Sequence, residues 1–273
     1  MVAVVTDSAA SLPSELAAEL GIAVVPIYLS LGGRSLADEA DPGRFYERLR
    51  REPGVATTSS PPPGDFVEAF ERAPADEVVC VTVASTVSAL HQTATVAAGM
   101  TGKRVEVVDS GTASMAEGFV AMEAARAATS GASLEGVVDR ARAVSEAVRL
   151  VAAIDTFEHL RRSGRVGWIA SSAGTMLRIK PVFRVRGGRI ESVGRPRTRR
   201  RALDRLVADA RRDIGGRPVH LAAVHADAER EARDLLERVA AGSTVVEAHV
   251  AGFTAAMGIH TGPGVVGLAY FCD

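Results

Sequence analysis

The sequence predicts an α/β protein of two domains. Residues 1–150 would form an N-terminal α/β domain with a mostly parallel sheet, because β-branched runs alternate with helical stretches there. Residues 151–273 would form a C-terminal α/β domain with an antiparallel or mixed sheet, because Gly187-Gly188 separates two β-prone runs and is a hairpin signal. The chain of 273 residues is 47% hydrophobic and 24% charged, which suits one large or two medium globular domains.

In the N-terminal half, short apolar runs are predicted strands and the stretches between them predicted helices. Ser11 is the expected N-cap of the first helix, because a Ser hydroxyl can accept a free N–H group of the first turn. Pro13 is expected in that first turn, where the N–H that proline lacks would have no partner within the helix. The predicted strands are Val2–Thr6, Ile22–Tyr28, Glu77–Val83 and Arg104–Asp109. The further predicted helices are Asp41–Arg51, Ser88–Ala98, Met115–Thr129 and Leu134–Val148.

In the C-terminal half, the hairpin at Gly187-Gly188 joins Ile179–Val185 to Arg189–Val193. Strands and helices then alternate again. The other predicted strands are Leu150–Asp155, Val219–His225 and Thr244–Ala251, and the predicted helices are Thr156–Arg162, Ala202–Ile214 and Ala228–Ala240.

Composition argues against several classes of protein. No run approaches eighteen uncharged apolar residues, and the N-terminus meets Asp7 without a basic region or cleavage pattern. Neither a transmembrane segment nor a signal peptide is therefore predicted, and the expected location is the cytoplasm. Cys80 and Cys272 lie in apolar runs and suit buried thiols better than a disulfide or a zinc site. His220 and His225 would face opposite sides of one strand, so no metal site is predicted.

Four loops that follow or link predicted strands are rich in Ser and Thr. Because the carboxyl ends of parallel strands gather at one edge of a sheet, these loops predict a polar ligand site there. The alternative is that their hydroxyls only cap helices and close turns. The four loops are Thr6-Asp7-Ser8, Thr57-Thr58-Ser59-Ser60-Pro61, Ser85-Thr86-Val87-Ser88 and Asp109-Ser110-Gly111-Thr112.

Three residues are candidates for the chemistry of this site. Ser88 would cap a helix whose free N–H groups favour an anion. Arg165, flanked by Gly164 and Gly167, could pair with a carboxylate or lie in solvent. His260 stands in the stretch "HTGPG", where a turn explains the glycines and the proline but not the His-Thr pair.

An enzymatic alternative uses the same residues. Ser88 or Ser110 with His260 could serve a lipid or ester hydrolase, with Asp7 as a third triad member. The chain has no Gly-x-Ser-x-Gly pentad, no Walker loop and no Gly-x-Gly-x-x-Gly after a strand. The residues alone leave both hypotheses open, a ligand-binding site and a hydrolase.

A basic segment covers the predicted hairpin. Between Arg184 and Arg201 there are eight arginines against one acid, Glu191. Such a run is usually a solvated face, and the segment has no aromatic residues for stacking on bases. With a net charge of −1 for the chain, no nucleic-acid partner is predicted, and an acidic protein surface is the better partner.

Seven motifs in order along the whole chain resemble one family. They are Thr6-Asp7-Ser8, Thr58-Ser59-Ser60-Pro61, Ser85–Ser88, Val108-Asp109-Ser110, Gly164-Arg165-Val166, Leu177-Arg178-Ile179-Lys180-Pro181-Val182 and His260-Thr261-Gly262-Pro263-Gly264. The series resembles the DegV family of bacterial fatty-acid-binding proteins, the FakB group. The resemblance implies a cofactor-free, non-enzymatic protein that holds one long-chain fatty acid in a tunnel, with the carboxylate at the domain interface. It also implies transient membrane contact and presentation of the acid to a separate ATP-dependent fatty acid kinase subunit of the DAK type, which makes acyl phosphate for phospholipid synthesis.

The resemblance also assigns residues. Thr58 and Ser88 would bind the carboxylate, His260 would join the same cluster, and Arg165 would be its charge partner. Ser59 and Thr261 would support them, and the basic segment would meet the kinase through Arg197, Arg199 and Arg200. The chain departs from the family pattern at Ser60, where Gln is frequent, and at Ala89-Leu90-His91, where the family has Gly-Thr-Tyr. Leu90 is therefore expected to reshape the helix start beside Ser88.

Overall fold

The computed structural model describes residues 1–31, 34–38, 46, 56–164 and 179–273. The strands are β1 (Val2–Asp7), β2 (Ile22–Val25), β3 (Tyr28–Leu31), β4 (Arg34–Ala37), β5 (Thr57–Ser59), β6 (Glu77–Thr82), β7 (Arg104–Asp109), β8 (Arg149–Ala153), β9 (Val182–Arg186), β10 (Arg189–Gly194), β11 (Val219–His225), β12 (Val245–Gly252) and β13 (Val266–Cys272). The helices are α1 (Ser14–Glu19), α2 (Pro63–Arg72), α3 (Leu90–Ala98), α4 (Met115–Thr129), α5 (Leu134–Ala147), α6 (Glu158–Arg162), α7 (Arg199–Ile214), α8 (Glu229–Ala240) and α9 (Ala255–Thr261).

The first sheet is parallel, with strand order β2-β1-β6-β7. The second sheet has the order β10-β9-β8-β13-β11-β12, in which only β11 and β12 pair in parallel. The α/β fold class with a parallel and a mixed sheet is therefore as predicted. The hairpin at Gly187-Gly188 also forms, with Arg189 opposite Arg186.

Helix α4 lies between the two sheets. Its residues from Met115 to Ala125 are all buried. They share one apolar core with Val79 of the first sheet and Phe271 of the second. On the opposite face of the second sheet, α7 and α8 cover a separate core. Helix α4 therefore packs against both sheets and forms one continuous apolar core with them.

The predicted strand Ile22–Tyr28 is wrong as a single element. It divides at Pro26, which has no N–H to give to a ladder. Before it, β2 pairs with β1, and after it, β3 leaves for a separate three-stranded antiparallel sheet of order β4-β3-β5. The segment Thr57–Ser59, predicted as a loop, is the edge strand β5 of that sheet, and Thr58 pairs with Leu29.

One helix prediction needs correction, one helix was not predicted, and one predicted helix lies mostly outside the described residues. Ser11 adopts a left-handed conformation (φ 51°) that ends a short 3₁₀ turn, and α1 begins only after Pro13. Helix α2 was not predicted, although Pro63 at its first position and buried Phe66 and Phe70 one turn apart are its sequence signals. The predicted helix 41–51 lies outside the described residues apart from Tyr46, which is helical.

Candidate functional site

A cavity of about 300 Å³ lies between the carboxyl edge of the first sheet and one face of the second. Loops that follow β1, β6 and β7 supply one wall, including Ala9, Val83 and Ala113. The other wall is a patch of the second sheet made by Leu150, Ala152, Phe183, Val185 and Ile190. Register explains this patch, because Leu150 pairs with Val185 and Ala152 with Phe183, so their side chains share one face.

The polar part of the lining consists of hydroxyl groups and one imidazole. These side chains belong to Thr58, Ser59, Ser60, Ser88, Thr112, His260 and Thr261. Within the part of the chain that the structure describes, no Asp, Glu, Lys or Arg lines the cavity. The wall is therefore mostly apolar, with hydrogen-bonding groups that can receive a small polar head.

Thr58 and His260 meet on this wall. Thr58 Oγ1 and His260 Nε2 form a 2.8 Å hydrogen bond in which the imidazole tautomer decides the donor. The expectation of a Gly-Pro turn around His260 needs correction, because His260 lies in the last turn of α9. Gly262 (φ 80°) follows and ends the helix. The helix, rather than a turn, sets the direction of the imidazole.

Ser88 lines the cavity but does not act as a standard N-cap. Helix α3 starts at Leu90, two residues later than predicted, and the Leu90 N–H donates to Ser88 Oγ over 3.3 Å. That bond uses a lone pair of the hydroxyl, so its O–H remains able to donate to a ligand. Leu90 itself is buried and lines the cavity, so the departure at Ala89-Leu90-His91 changes the wall next to Ser88.

The remaining predicted ligand residues differ in which hydrogen-bonding atoms are still available to a ligand. Thr261 donates its hydroxyl to the Met257 carbonyl over 3.0 Å, so its oxygen keeps only acceptor capacity. Ser59 lies on β5 opposite Tyr28, and it is exposed at the cavity wall. Arg165 lies outside the described residues.

Asp7 and Ser110 belong to the interior rather than to a triad with His260. Asp7 accepts N–H groups from Ala9 and Val83, each over 2.9 Å. Ser110 is fully buried and closes a turn with Thr112, accepting its N–H and donating to its carbonyl. Asp7 therefore ties the ends of β1 and β6, whose next residues line the cavity.

A second buried acid, Glu117, lies beside Asp7. Glu117 of α4 is fully buried and accepts the Thr6 hydroxyl over 3.3 Å. Burial raises the pKa of Asp7 to about 6 and raises the pKa of Glu117 well above its ordinary value. Because two backbone N–H bonds favour the charged form of Asp7, the proton that this pair retains belongs to Glu117 rather than to Asp7.

The tip of the β9–β10 hairpin closes against the loops of the first sheet. The Gly188 N–H donates to the Gly111 carbonyl over 2.7 Å. The Thr86 hydroxyl donates to the Gly188 carbonyl over 2.8 Å. These bonds join the two sheets beside the cavity wall.

The three arginines of the basic segment that were assigned to the kinase contact differ in their exposure to solvent. Arg197 and Arg200 are exposed, whereas Arg199 is largely taken up by Glu231 and Asp155. Arg199 is thus a structural link at the start of α7.

One acidic and histidine cluster lies away from the cavity. Glu123, His220 and Glu247 bring ligand-type atoms close together. Arg126 binds Glu247 through two hydrogen bonds of 2.7 Å, and Arg140 pairs with Glu123. Guanidinium groups already compensate both carboxylates, so the cluster is an ion network.

No helix within the described ranges is both long and apolar enough to cross a membrane. The fold and site define a class: an α/β protein with an apolar cavity between a parallel and a mixed sheet and a hydroxyl and imidazole cluster on the cavity wall. Comparison with known proteins then gives the family. The DegV family model, described as an uncharacterised protein of that family, matches residues 1–273. The chain belongs to the DegV family.

Relatives cover the whole chain. A DegV domain-containing protein of Streptomyces coelicolor is 35% identical over 273 residues, which cover 98% of this chain and 97% of that protein. The structure of a DegV family protein from Thermus thermophilus, described by its fatty acid binding, has a TM-score of 0.91 and 32% identity, with 100% and 99% of the two chains covered. DegV of Bacillus subtilis, described as a fatty acid binding protein, has a TM-score of 0.88 and 28% identity, with 100% and 99% covered.

Proposed function

We propose that this protein binds one long-chain fatty acid in the cavity between its sheets and carries out no chemistry on it. The observation that carries the proposal is the cavity itself, an apolar enclosure with one cluster of hydrogen-bonding side chains. The family relatives from Thermus thermophilus and Bacillus subtilis, described as fatty acid binding, support the same ligand class.

The carboxylate head would lie against Thr58, His260 and Ser88. If His260 Nε2–H donates to Thr58 Oγ1, the Thr58 O–H is free to donate to a carboxylate oxygen. Ser88 would supply a second O–H, since its bond with Leu90 uses only a lone pair. Ser59 and Thr261 would support this cluster, Thr261 by fixing the last turn of α9, and Arg165 would be the charge partner.

The tail and the head would have different roles in binding. Roughly fifteen methylenes at about 0.8 kcal/mol each give on the order of 12 kcal/mol of gross transfer free energy. A hydrogen bond to a charged group contributes about 1.5–3 kcal/mol. The apolar walls would therefore supply most of the affinity, and the hydroxyl and imidazole groups would add a smaller share and set which end of the acid faces which way.

Transfer of the acid to an ATP-dependent kinase would follow binding. Arg197 and Arg200 offer exposed guanidinium groups that suit an acidic partner surface. Arg199 would hold the segment in place through Glu231 and Asp155. The kinase would form acyl phosphate at the presented carboxylate for phospholipid synthesis, with brief membrane contact for loading.

The binding test uses protein stripped of lipid and titrated with palmitate, and hexadecanol is the matched ligand without a carboxylate. We expect one palmitate per chain and weaker binding of hexadecanol. Failure to bind either ligand would overturn the proposal.

The hydrolase alternative rests on Ser88 and His260 lining one cavity. Against it, the His260 nitrogen that faces the cluster is engaged by Thr58. Stoichiometric labelling of Ser88 by a fluorophosphonate probe, lost in His260→Ala, would favour the hydrolase.

A further inference from the structure

The Thr6-Asp7-Ser8 motif stands out in the sequence, yet its side chains do not line the cavity. The Ser8 hydroxyl instead donates to Asp38 Oδ2 over 2.7 Å and accepts the Ile27 N–H over 3.1 Å. The Asp38 N–H in turn donates to the Ile27 carbonyl over 2.7 Å. Ser8 and Asp38 are thus held as a rigid pair beside the end of β1.

The second oxygen of Asp38 binds the helix that carries His260. Asp38 Oδ1 accepts the Ala256 N–H over 3.1 Å, across 218 positions of sequence. Thr254, at the N-cap position of α9, makes no capping bond with its own side chain. Asp38 therefore supplies the cap from a distance, and its negative charge lies at the favourable end of the helix dipole.

Helix α9 depends on such contacts because it has only seven residues. A helix of that length is not stable alone in water. Its middle is fixed by Tyr46, whose ring lies so close to Gly258 that a Cβ there would collide with it. Its first turn is fixed by Asp38, and His260 follows Ala256 by four positions, about one turn.

We infer that Asp38, supported by Ser8, is the positioning residue that holds the His260 imidazole against Thr58 and so leaves the Thr58 O–H directed at the ligand carboxylate. Asp38 does not touch the ligand and acts through α9. Only 8% of its surface is exposed, so its carboxylate depends on these donors. The inference gives the Thr6-Asp7-Ser8 motif a role, as the link between the first sheet and the helix of His260. It rests on the proposed fatty acid binding.

Three variants test this with a matched control. Asp38→Ala removes the carboxylate that accepts the Ser8 hydroxyl and the Ala256 N–H. Asp38→Asn keeps one acceptor oxygen and loses the charge, and Ser8→Ala removes the support of Asp38. Asp65→Asn is the control, because Asp65 also lies in the first turn of a helix, α2, and accepts a 2.8 Å bond from the Tyr28 hydroxyl, but α2 carries no predicted ligand residue.

Each variant is titrated with palmitate and with hexadecanol, after circular dichroism has verified the fold. We expect Asp38→Ala to weaken palmitate binding about tenfold, with less than about twofold loss for hexadecanol, since only the carboxylate needs His260. Asp38→Asn and Ser8→Ala should show a smaller loss of the same kind, and Asp65→Asn none.

Equal losses for both ligands, or unchanged palmitate binding in the folded variants, would overturn the positioning role. If Asp38→Ala does not fold, Asp38→Asn and Ser8→Ala decide by the same comparison. Wild-type protein that binds neither ligand would instead overturn the proposed function, so the two failures are distinct.

Discussion

Thr58 Oγ1 lies 2.8 Å from His260 Nε2, although the two residues are 202 positions apart. Thr58 is on the edge strand of the small antiparallel sheet, and His260 is in the last turn of α9. Both line the same cavity, whose remaining walls are largely apolar. This pair is therefore the most specific structural feature of the proposed carboxylate site.

Removing either member of this pair should weaken binding of the acid without unfolding the protein. We expect His260→Ala and Thr58→Val to weaken palmitate binding about tenfold or more, because hydrogen bonds to charged groups contribute about 1.5–3 kcal/mol. Isothermal titration measures the change. His91→Ala is the control, since the His91 imidazole bonds to Thr82 rather than to the cavity wall. Unchanged affinity and unchanged kinase-coupled turnover in His260→Ala would refute the assignment.

The hairpin tip should control how firmly the two sheets close on the ligand. Gly187 and Gly188 both have positive φ, 53° and 72°, but only at Gly188 would a Cβ meet Thr86, at 3.1 Å. Both Ala variants therefore share the backbone strain of about 1–2 kcal/mol, and Gly188→Ala adds a tight contact that Thr86 must relieve by shifting a few tenths of an ångström. We expect Gly188→Ala to have the lower Tm and faster palmitate dissociation by stopped flow. Equal behaviour of the two variants would show that the Thr86 contact is unimportant.

The buried acid pair should make stability fall as pH rises. The pKa of Asp7 is raised to about 6 and that of Glu117 further above its ordinary value, both by burial, so the folded state holds protons that the unfolded chain releases above about pH 4. Stability from these groups is full below that pH and declines as pH rises through their folded-state pKa values.

Glu117→Gln would remove much of this pH dependence, because an amide keeps its hydrogens at any pH and can donate to Asp7. We expect a gain of about 1 kcal/mol at pH 7.5, a rise in Tm of about 2–4 °C, and a flatter Tm profile between pH 5 and 8. Glu237→Gln on the exposed side of α8 is the control. A Tm profile as steep as that of the wild type would contradict the protonated state of Glu117.

Charge reversal should separate binding from transfer. The double change Arg197→Glu and Arg200→Glu should leave palmitate affinity unchanged and slow turnover in a coupled assay with the kinase, more strongly at low salt. Arg72→Glu, an exposed reversal in α2, is the control. Full turnover in the double variant would remove the basic segment from the partner surface.

Sequence patterns predicted the elements that depend on local order. Apolar runs that alternate with helical stretches predicted β1, β6 and β7, and Gly187-Gly188 predicted the hairpin. The division at Pro26 was missed because Val25 and Ile27 continue the apolar pattern on both sides, although proline cannot join a central ladder. Helix α2 was missed despite its proline start.

The site was predictable in its residue types but not in its connections. The hydroxyl loops and the "HTGPG" stretch singled out Ser88 and His260, the family resemblance added Thr58, and all three line the cavity. Asp38 gave no signal, because the Ala256 N–H group that it accepts lies 218 positions away in the sequence. Glu117 reads as an ordinary acid in a helix and becomes distinctive only when α4 lies between two sheets.

Mass spectrometry of the protein purified without detergent tests the central claim most directly, first in the native state and then after organic extraction. We predict a mass increment of one fatty acid per chain and its recovery as the free acid in the extract. A native mass equal to the bare chain, unchanged after incubation with palmitate and oleate, would contradict the account.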